Sequence, residues 1–417
     1  MLKKIPLYVQ IVIALMFAVV TGTLLGAGNV SPDLKDTIGH LALPCTLILK
    51  ALRTLATPLI LLAVLHSFLT ANIPGRSGRK LSFLLVTNTV IAIVIGLGVA
   101  NVVRPGTWGS TAAKEMATKS TGKSLDPWSL LNDMVPDSVV KPLVDNNVLQ
   151  LIFLALAFGI VLRGLKAQQI EQGKTDYLPI EQGIGILFEA VIGILHWVIA
   201  LVPIAVFGIV AKTIAIEGFE PFKKLGIFVV TVLLALSLQA MYYLLRVRFG
   251  SWVTPKQFLH HGSDALITAF STASSTATMP ITFEALLHKF KLRESSASLG
   301  ALVGSNFNND GTALYEAMAA LFISQVLGLQ LTLPQQLVVI LTSIIASVGA
   351  AGIPEAGLVT MTLVFTSVGL PTEYIALLIT VDWFLDRART AINVMGDMTV
   401  SCLLDGKVQE RQEASLI

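Results

Sequence analysis

Two stretches decide the fold: ALITAFSTASSTATMPITFEALL at residues 265–287 and VVILTSIIASVGAAGIPEAGLVTMTLVFT at residues 338–366. In each, an apolar run meets a tip of small and polar residues, 271–280 in the first and 347–357 in the second, and then turns apolar again. Each arm holds about a dozen residues, which at ~1.5 Å per residue falls well short of ~30 Å of hydrocarbon. One such interruption, taken alone, reads as a kinked membrane helix. Two in corresponding places, each coupled to a longer helix carrying intramembrane charges, predict a pair of re-entrant hairpins around a midplane binding site.

The rest of the chain has the composition such hairpins require. Of 417 residues, 54% are hydrophobic and 13% charged, more apolar surface than ordinary soluble cores can hide. Long apolar runs near residues 8–25, 43–69, 81–103, 148–165, 184–214, 224–245, 299–327 and 373–404 predict eight membrane spans. Lys3 and Lys4 precede the first run in the manner of a secretory signal, but further spans follow immediately, so this run is expected to be a retained helix. Lys3/Lys4, residues 76–80, Arg163/Lys166, Arg246/Arg248 and Lys289/Lys291/Arg293 fall on one side if the early spans alternate, which makes that side cytoplasmic. Lys223 and Lys224 are the exceptions. A net charge of +3 is too small to suggest nucleic acid as a partner. Cys45 and Cys402 sit in apolar runs and read as packing residues. The polar stretch 104–146 is charge-balanced and reads as an outward-facing connector.

Chemistry concentrates near the end of the chain. In DWFLDRARTAINVMGD, residues 382–397, Asp382, Asp386, Arg389, Asn393 and Asp397 follow one another at intervals of 4, 3, 4 and 4, which puts all five on one narrow helical face. Charges in a membrane helix are costly unless they face a partner or a wet cavity, so the stripe looks inward. One Asp/Arg pair can be a purely structural neutralisation. Three carboxylates to one guanidinium on the same face leave negative charge over and call for a cation. Arg389 offers a planar fork for a substrate carboxylate, and Asp386 a partner for an ammonium group. Together they suit a zwitterion with an additional acidic group. Arg387 lies off the stripe; it is positioned either to approach the hairpin serines or to pair with another carboxylate, and we assign it as a modulator.

In GSNFNNDGT, residues 304–312, consecutive polar residues cannot share one side of a regular helix, and Gly311 weakens it further. Local unwinding would free carbonyls that, with Asn308 and Asp310, form an oxygen-rich nest for a hard cation. The alternative is plain interhelical hydrogen bonding by Asn and Thr. Glu316 follows one turn later in apolar surroundings that favour its neutral form, which makes it a candidate proton carrier or else a structural, Arg-paired carboxyl. Glu355, at a hairpin tip, and His260 and His261, before the first hairpin, carry little functional expectation.

These residues and motifs resemble the dicarboxylate/amino-acid:cation symporter family, which includes the excitatory glutamate transporters. The likeness covers essentially the whole chain and is strongest from the serine-rich tip to Asp397. It implies an all-α integral membrane protein of eight spans and two hairpins, with inverted repeats and an elevator-type transport domain moving against a scaffold in a homotrimer. On that pattern residues 1–80 are scaffold spans one and two, 81–105 span three of the transport domain, 106–146 the connecting loop and 147–222 scaffold spans four and five. Residues 223–405 complete the transport domain and 406–417 form a cytoplasmic tail. Both termini would be cytoplasmic, in a plasma membrane, or the inner membrane of a bacterium.

By the same resemblance, substrate meets Ser274, Ser275, Thr312, Asp386, Arg389, Thr390 and Asn393, with Ala351 and Gly352 closing over it. One sodium ion would use Gly304, Asn308, Asn393 and Asp397, and another Asp310, Asn308, Asn88 and Thr89. A third would use carbonyls near Asn306, Ser347, Val348 and Ala350. Asn309, Asn306 and Asn88 depart from the family's usual residues, so coupling ions stand open between sodium and protons, with potassium a candidate counter-ion. Glu316 and Arg387 match a proton-linked Glu and an extra Arg of the animal transporters. The function implied is import of L-aspartate or L-glutamate. A proton-coupled C4-dicarboxylate transporter and an ion channel of the same architecture are the rivals; an enzyme is not expected, since the tip serines lack an identifiable membrane base.

Overall fold

The structure, a computed structural model, describes residues 7–70, 75–108, 135–145, 148–349 and 356–408, and no strand occurs among them. The long helices are α1 (Leu7–Leu25), α2 (Leu43–Thr70), α3 (Gly75–Val103), α4 (Val148–Glu171), α5 (Leu178–Ala200), α6 (Val202–Glu217) and α7 (Glu220–Gly250). Then come α8 (Pro255–Thr272), α9 (Ser275–Glu284), α10 (Asp310–Val326), α11 (Leu333–Gly349), α12 (Ala356–Ser367) and α13 (Ile375–Asp405).

Five stretches among the described residues are long and apolar enough to cross a membrane: Leu34–Thr70, Gly78–Thr107, Phe153–Glu171, Leu178–Ala200 and Glu220–Gly250. The chain is thus a multi-pass membrane protein. The eight spans expected from sequence also call on α1, on the run through α10 and on α13. α10 is only 17 residues long and α13 carries the charged stripe, so neither has the uniform apolar length of a simple span.

Two departures from the expected spans have local causes. The run 184–214 is divided at Leu201, because Pro203 opens the next helix without an N–H to continue the ladder. The run 299–327 passes through a π-helical turn and breaks at Asn308 and Asn309, whose ψ angles are 69° and 49°. There the chain lies hard against α13: a Cβ on Gly304 would stand 2.6 Å from Asp397 Oδ1 and one on Gly311 2.7 Å from the Arg389 carbonyl oxygen.

Packing falls into two groups. α1 lies along α6, and α2 packs against α4, α5 and α6. α10 lies along α3, while α13 gathers α7, α8 and α10 around itself and α11 pairs with α12. The two groups touch where α12 and α11 meet α2 and where α13 meets α6. The first hairpin turns at Ala273, in the left-handed region at φ 52°, and Ser274 then caps α9 by accepting from the Ala277 N–H at 3.1 Å.

Candidate functional site: a buried polar cluster around the last helix

The stripe on α13 faces the broken run before α10, and α13 packs against the first hairpin and the start of α12. Arg389 is fully buried. Its Nη2 donates to Asp386 Oδ1 at 2.8 Å, its Nη1 stands 3.0 Å from Asp382 Oδ1, and its guanidinium lies 4.1 Å from the Tyr315 ring centroid. One cation therefore serves two carboxylates while its flat face is covered by an aromatic ring, a setting that fixes the fork rather than leaving it to swing. α12 closes over the same group: a Cβ on Gly357 would stand 3.3 Å from Arg389 Nη2.

One turn further on, Thr390 donates to the Asp386 carbonyl at 2.8 Å, and Asn393 ties α13 to the helix break. Asn393 Oδ1 accepts from the Gly311 N–H at 2.8 Å, and its Nδ2 faces Thr312 Oγ1 and Asn309 Oδ1, each at 3.3 Å. Asn309 in turn donates to the Ser347 carbonyl of α11 at 2.9 Å. From the other side Ser275 donates to the Ser305 carbonyl at 3.1 Å. The arms of both hairpins are thus hydrogen-bonded to the chain on either side of the helix break, the first at Ser305 and the second at Asn309. Arg387, off the stripe, reaches the first hairpin through the carbonyls of Phe270 at 3.0 Å and Ser271 at 2.5 Å.

One turn beyond Asn393, Asp397 accepts from Asn308 Nδ2 at 3.0 Å, and the same amide reaches the Asn393 carbonyl at 3.2 Å. Asn308 Oδ1 has no hydrogen-bond partner among the described residues. Asp310 accepts from Thr89 at 2.6 Å and Tyr243 at 2.5 Å. No basic side chain among the described residues lies within ion-pair distance of Asp310 or Asp397, whereas Asp382 and Asp386 share Arg389. On the stripe, the carboxylate that Arg389 does not reach is therefore Asp397. Glu316 is fully buried and accepts from Thr360 of α12, and its second oxygen has no hydrogen-bond partner among the described residues.

The structure gathers Ser275, Thr312, Asp386, Arg389, Thr390, Asn393, Asn308, Asp310, Thr89 and Asp397 around α13 and the helix break in four adjoining polar groups: Ser275 on the Ser305 carbonyl, Arg389 with Asp386 and Thr390, Asn393 with Thr312, Asn308 and Asp397, and Asp310 with Thr89. Three of the residues singled out from sequence sit differently. Ser274 caps α9, Asn306 turns its amide back to the Leu302 carbonyl at 3.2 Å, and Asn88 is held by Arg246. Ser347 contributes its carbonyl, while its hydroxyl bonds its own helix at 2.7 Å. Ala350, Ala351, Gly352 and Glu355 lie outside the described residues, as do the Val348 side chain and the tail beyond Val408. Sequence reasoning missed Tyr315, Tyr243, Thr360 and Arg246. Tyr315 carried a usable signal, since it lies three residues after Thr312 and so on the same face of α10.

The Sodium:dicarboxylate symporter family description matches residues 7–407. The chain belongs to that family. It is similar to excitatory amino acid transporter 3 of Mus musculus, with 31% identity covering 91% of this chain and 82% of the relative. Excitatory amino acid transporter 1 of Ambystoma tigrinum is 32% identical, covering 92% and 80%, and an excitatory amino acid transporter of Caenorhabditis elegans is 32% identical, covering 95% and 86%. As a member of the symporter family this chain is a transporter rather than an enzyme.

Proposed function

We propose that this symporter imports L-aspartate or L-glutamate together with sodium. The observation that carries the reading is the buried Asp386–Arg389 pair, the two opposite charges that an acidic amino acid would separate. The side-chain carboxylate of the substrate takes the Arg389 fork, Arg389 keeps Asp382 as its standing partner, and Asp386 is released to accept the ammonium group. Thr312, Thr390 and Asn393 supply polar contacts beside them. The names of the similar excitatory amino acid transporters support this substrate class.

Sodium is cargo. Asp397 with Asn308, Asn393 and the Gly304 backbone offers one hard-oxygen site, and backbone carbonyls near Asn306, just before the helix break, with the Ser347 carbonyl offer another. Coupling follows from the shared segment: Asn308 bonds the Asn393 carbonyl, Asn393 faces Thr312, and Asn309, next to Asn308, bonds the Ser347 carbonyl of the second hairpin. A proton carried on Glu316 is a further coupled ion, and potassium a candidate counter-ion. α3 and α7–α13 form a transport domain that slides against a scaffold of α1, α2 and α4–α6 in an eight-span homotrimer with cytoplasmic termini. The two packing groups support this division.

The test is uptake of labelled L-aspartate into proteoliposomes, competed by L-glutamate, succinate and L-alanine. Competition by L-glutamate alone is expected. Competition by succinate with none by L-glutamate would move the assignment to a C4-dicarboxylate, and saturation-free current would move it to a channel.

A further inference from the structure

Arg246 reads in the sequence as one of the basic residues flanking a span. In the structure it is half-buried near the end of α7, and its Nη1 donates to Asn88 Oδ1 of α3. Its guanidinium also lies 5.6 Å from the Tyr242 ring centroid. The next residue along α3, Thr89, donates to Asp310 Oδ1, and Tyr243, three residues before Arg246 and so on the same side of α7, donates to Oδ2. Asn88, Thr89, Tyr243 and Asp310 are all buried, and Arg246 lies within electrostatic range of Asp310. A single polar line thus runs from a fixed cation on α7, through the adjacent Asn88 and Thr89, to a carboxylate at the start of α10.

The family resemblance implies a sodium ion held by Asp310, Asn308, Asn88 and Thr89. A hard cation needs several oxygens with lone pairs turned toward it. Here the Asn88 oxygen is engaged by a guanidinium, and each oxygen of Asp310 accepts a hydroxyl. A sodium ion at this place would also sit beside a like charge in surroundings of low dielectric, where repulsion is poorly screened. The donor set fits a tethered cation better than a diffusible one.

The geometry points to Arg246 as a built-in cation that replaces the sodium ion beside Asp310, leaving this chain coupled to one sodium fewer than the three its resemblance implies. The guanidinium stays on α7 and travels with it. The positive charge that a bound ion would bring and then lose is here permanent, held on Asn88 within electrostatic range of Asp310 whether or not sodium is present. Asn88 is the positioning residue, because its amide oxygen holds the guanidinium against α3. The transport consequence rests on the proposed sodium-coupled import, while the ion-binding consequence does not.

The test uses the purified full-length protein and the variants Arg246→Gln, Arg246→Met and Arg246→Lys, with choline chloride holding ionic strength constant. Two sodium titrations are run: melting temperature without substrate, and L-aspartate affinity by calorimetry. Removing the charge in Arg246→Gln or Arg246→Met is expected to steepen the dependence of log Kd on log sodium by about one. Each tenfold rise in sodium then tightens L-aspartate binding by a further tenfold, and the substrate-free protein gains additional sodium-dependent stabilisation. Arg246→Lys keeps the wild-type slope. Arg246→Gln retains a donor for Asn88 and carries the test if Arg246→Met does not fold. Wild-type slopes in Arg246→Gln in both titrations overturn the inference. If the wild type binds no L-aspartate, the proposed substrate fails, and the substrate-free titration still decides the role of Arg246.

Discussion

Replacing Arg389 by cysteine separates the two jobs the guanidinium does. Structurally, it is buried against Asp382 at 3.0 Å and Asp386 at 2.8 Å, so its removal strands two carboxylates. Breaking a buried ion pair by deleting one partner costs about 3–5 kcal/mol. Functionally, the fork offers a substrate carboxylate two charge-assisted hydrogen bonds of about 1.5–3 kcal/mol each, a gross ~3–6 kcal/mol. The arginine begins bonded to Asp386, however, so the exchange returns only part of that. The lower end, roughly 3 kcal/mol, corresponds to about a hundredfold in affinity at ~1.4 kcal/mol per decade. Arg389→Cys is therefore expected to raise the KM for L-aspartate about a hundredfold in proteoliposome uptake, to admit neutral amino acids such as L-alanine or L-serine, and to lower the melting temperature. Adding Asp382→Asn removes one of the stranded charges, so the double variant should melt higher than Arg389→Cys while its L-aspartate KM stays high. An unchanged L-aspartate KM in Arg389→Cys would refute the assignment of the fork to the substrate.

Glu316→Gln keeps an acceptor for Thr360 and removes the titratable proton; under a fixed sodium gradient, uptake should lose any acceleration by an imposed inward proton gradient. Retained acceleration would exclude Glu316 as the carrier. Gly311→Ala places a methyl 2.7 Å from the Arg389 carbonyl oxygen, so about 1–3 kcal/mol of stability should be lost, with weaker L-aspartate binding; a neutral result would mean the two helices separate freely. Arg387→Ala releases the carbonyls of Phe270 and Ser271 and should change uptake kinetics without admitting neutral amino acids, which a competition assay would show. Asp405→Ala frees Trp252 Nε1, bonded at 2.9 Å, and Arg293, bonded through its backbone N–H at 3.0 Å and Nε at 3.1 Å. It should lower the melting temperature by an amount equivalent to about 1–3 kcal/mol with the KM for L-aspartate preserved.

The parts of the site legible in the sequence are those where a residue is out of place in a membrane. Serines, glycines and prolines interrupting apolar runs announced the hairpins, and the spacing from Asp382 to Asp397 announced the inward stripe. Residues that belong in apolar surroundings gave no such signal. Tyr315 shares a helix face with Thr312, but its type reads as packing until Arg389 is seen lying over its ring. Thr360 is one hydroxyl among several in α12 until it meets Glu316. Arg246 was misleading for a different reason, because a basic residue near the end of a span already has a sufficient explanation in topology. The division at Leu201 was hidden because proline is common in membrane helices, and hydropathy does not register a missing N–H. The charge count on α13 did point to a cation. Which carboxylates Arg389 had already neutralised could be read only from distances.

Concentrative uptake tests the central claim most directly: full-length protein in sealed proteoliposomes, labelled L-aspartate outside, and a sodium gradient imposed inward or absent. The account predicts that internal L-aspartate rises above the external level only under the inward gradient and falls back when the gradient is collapsed. Accumulation indifferent to sodium, or equilibration that never exceeds the external concentration, would contradict it.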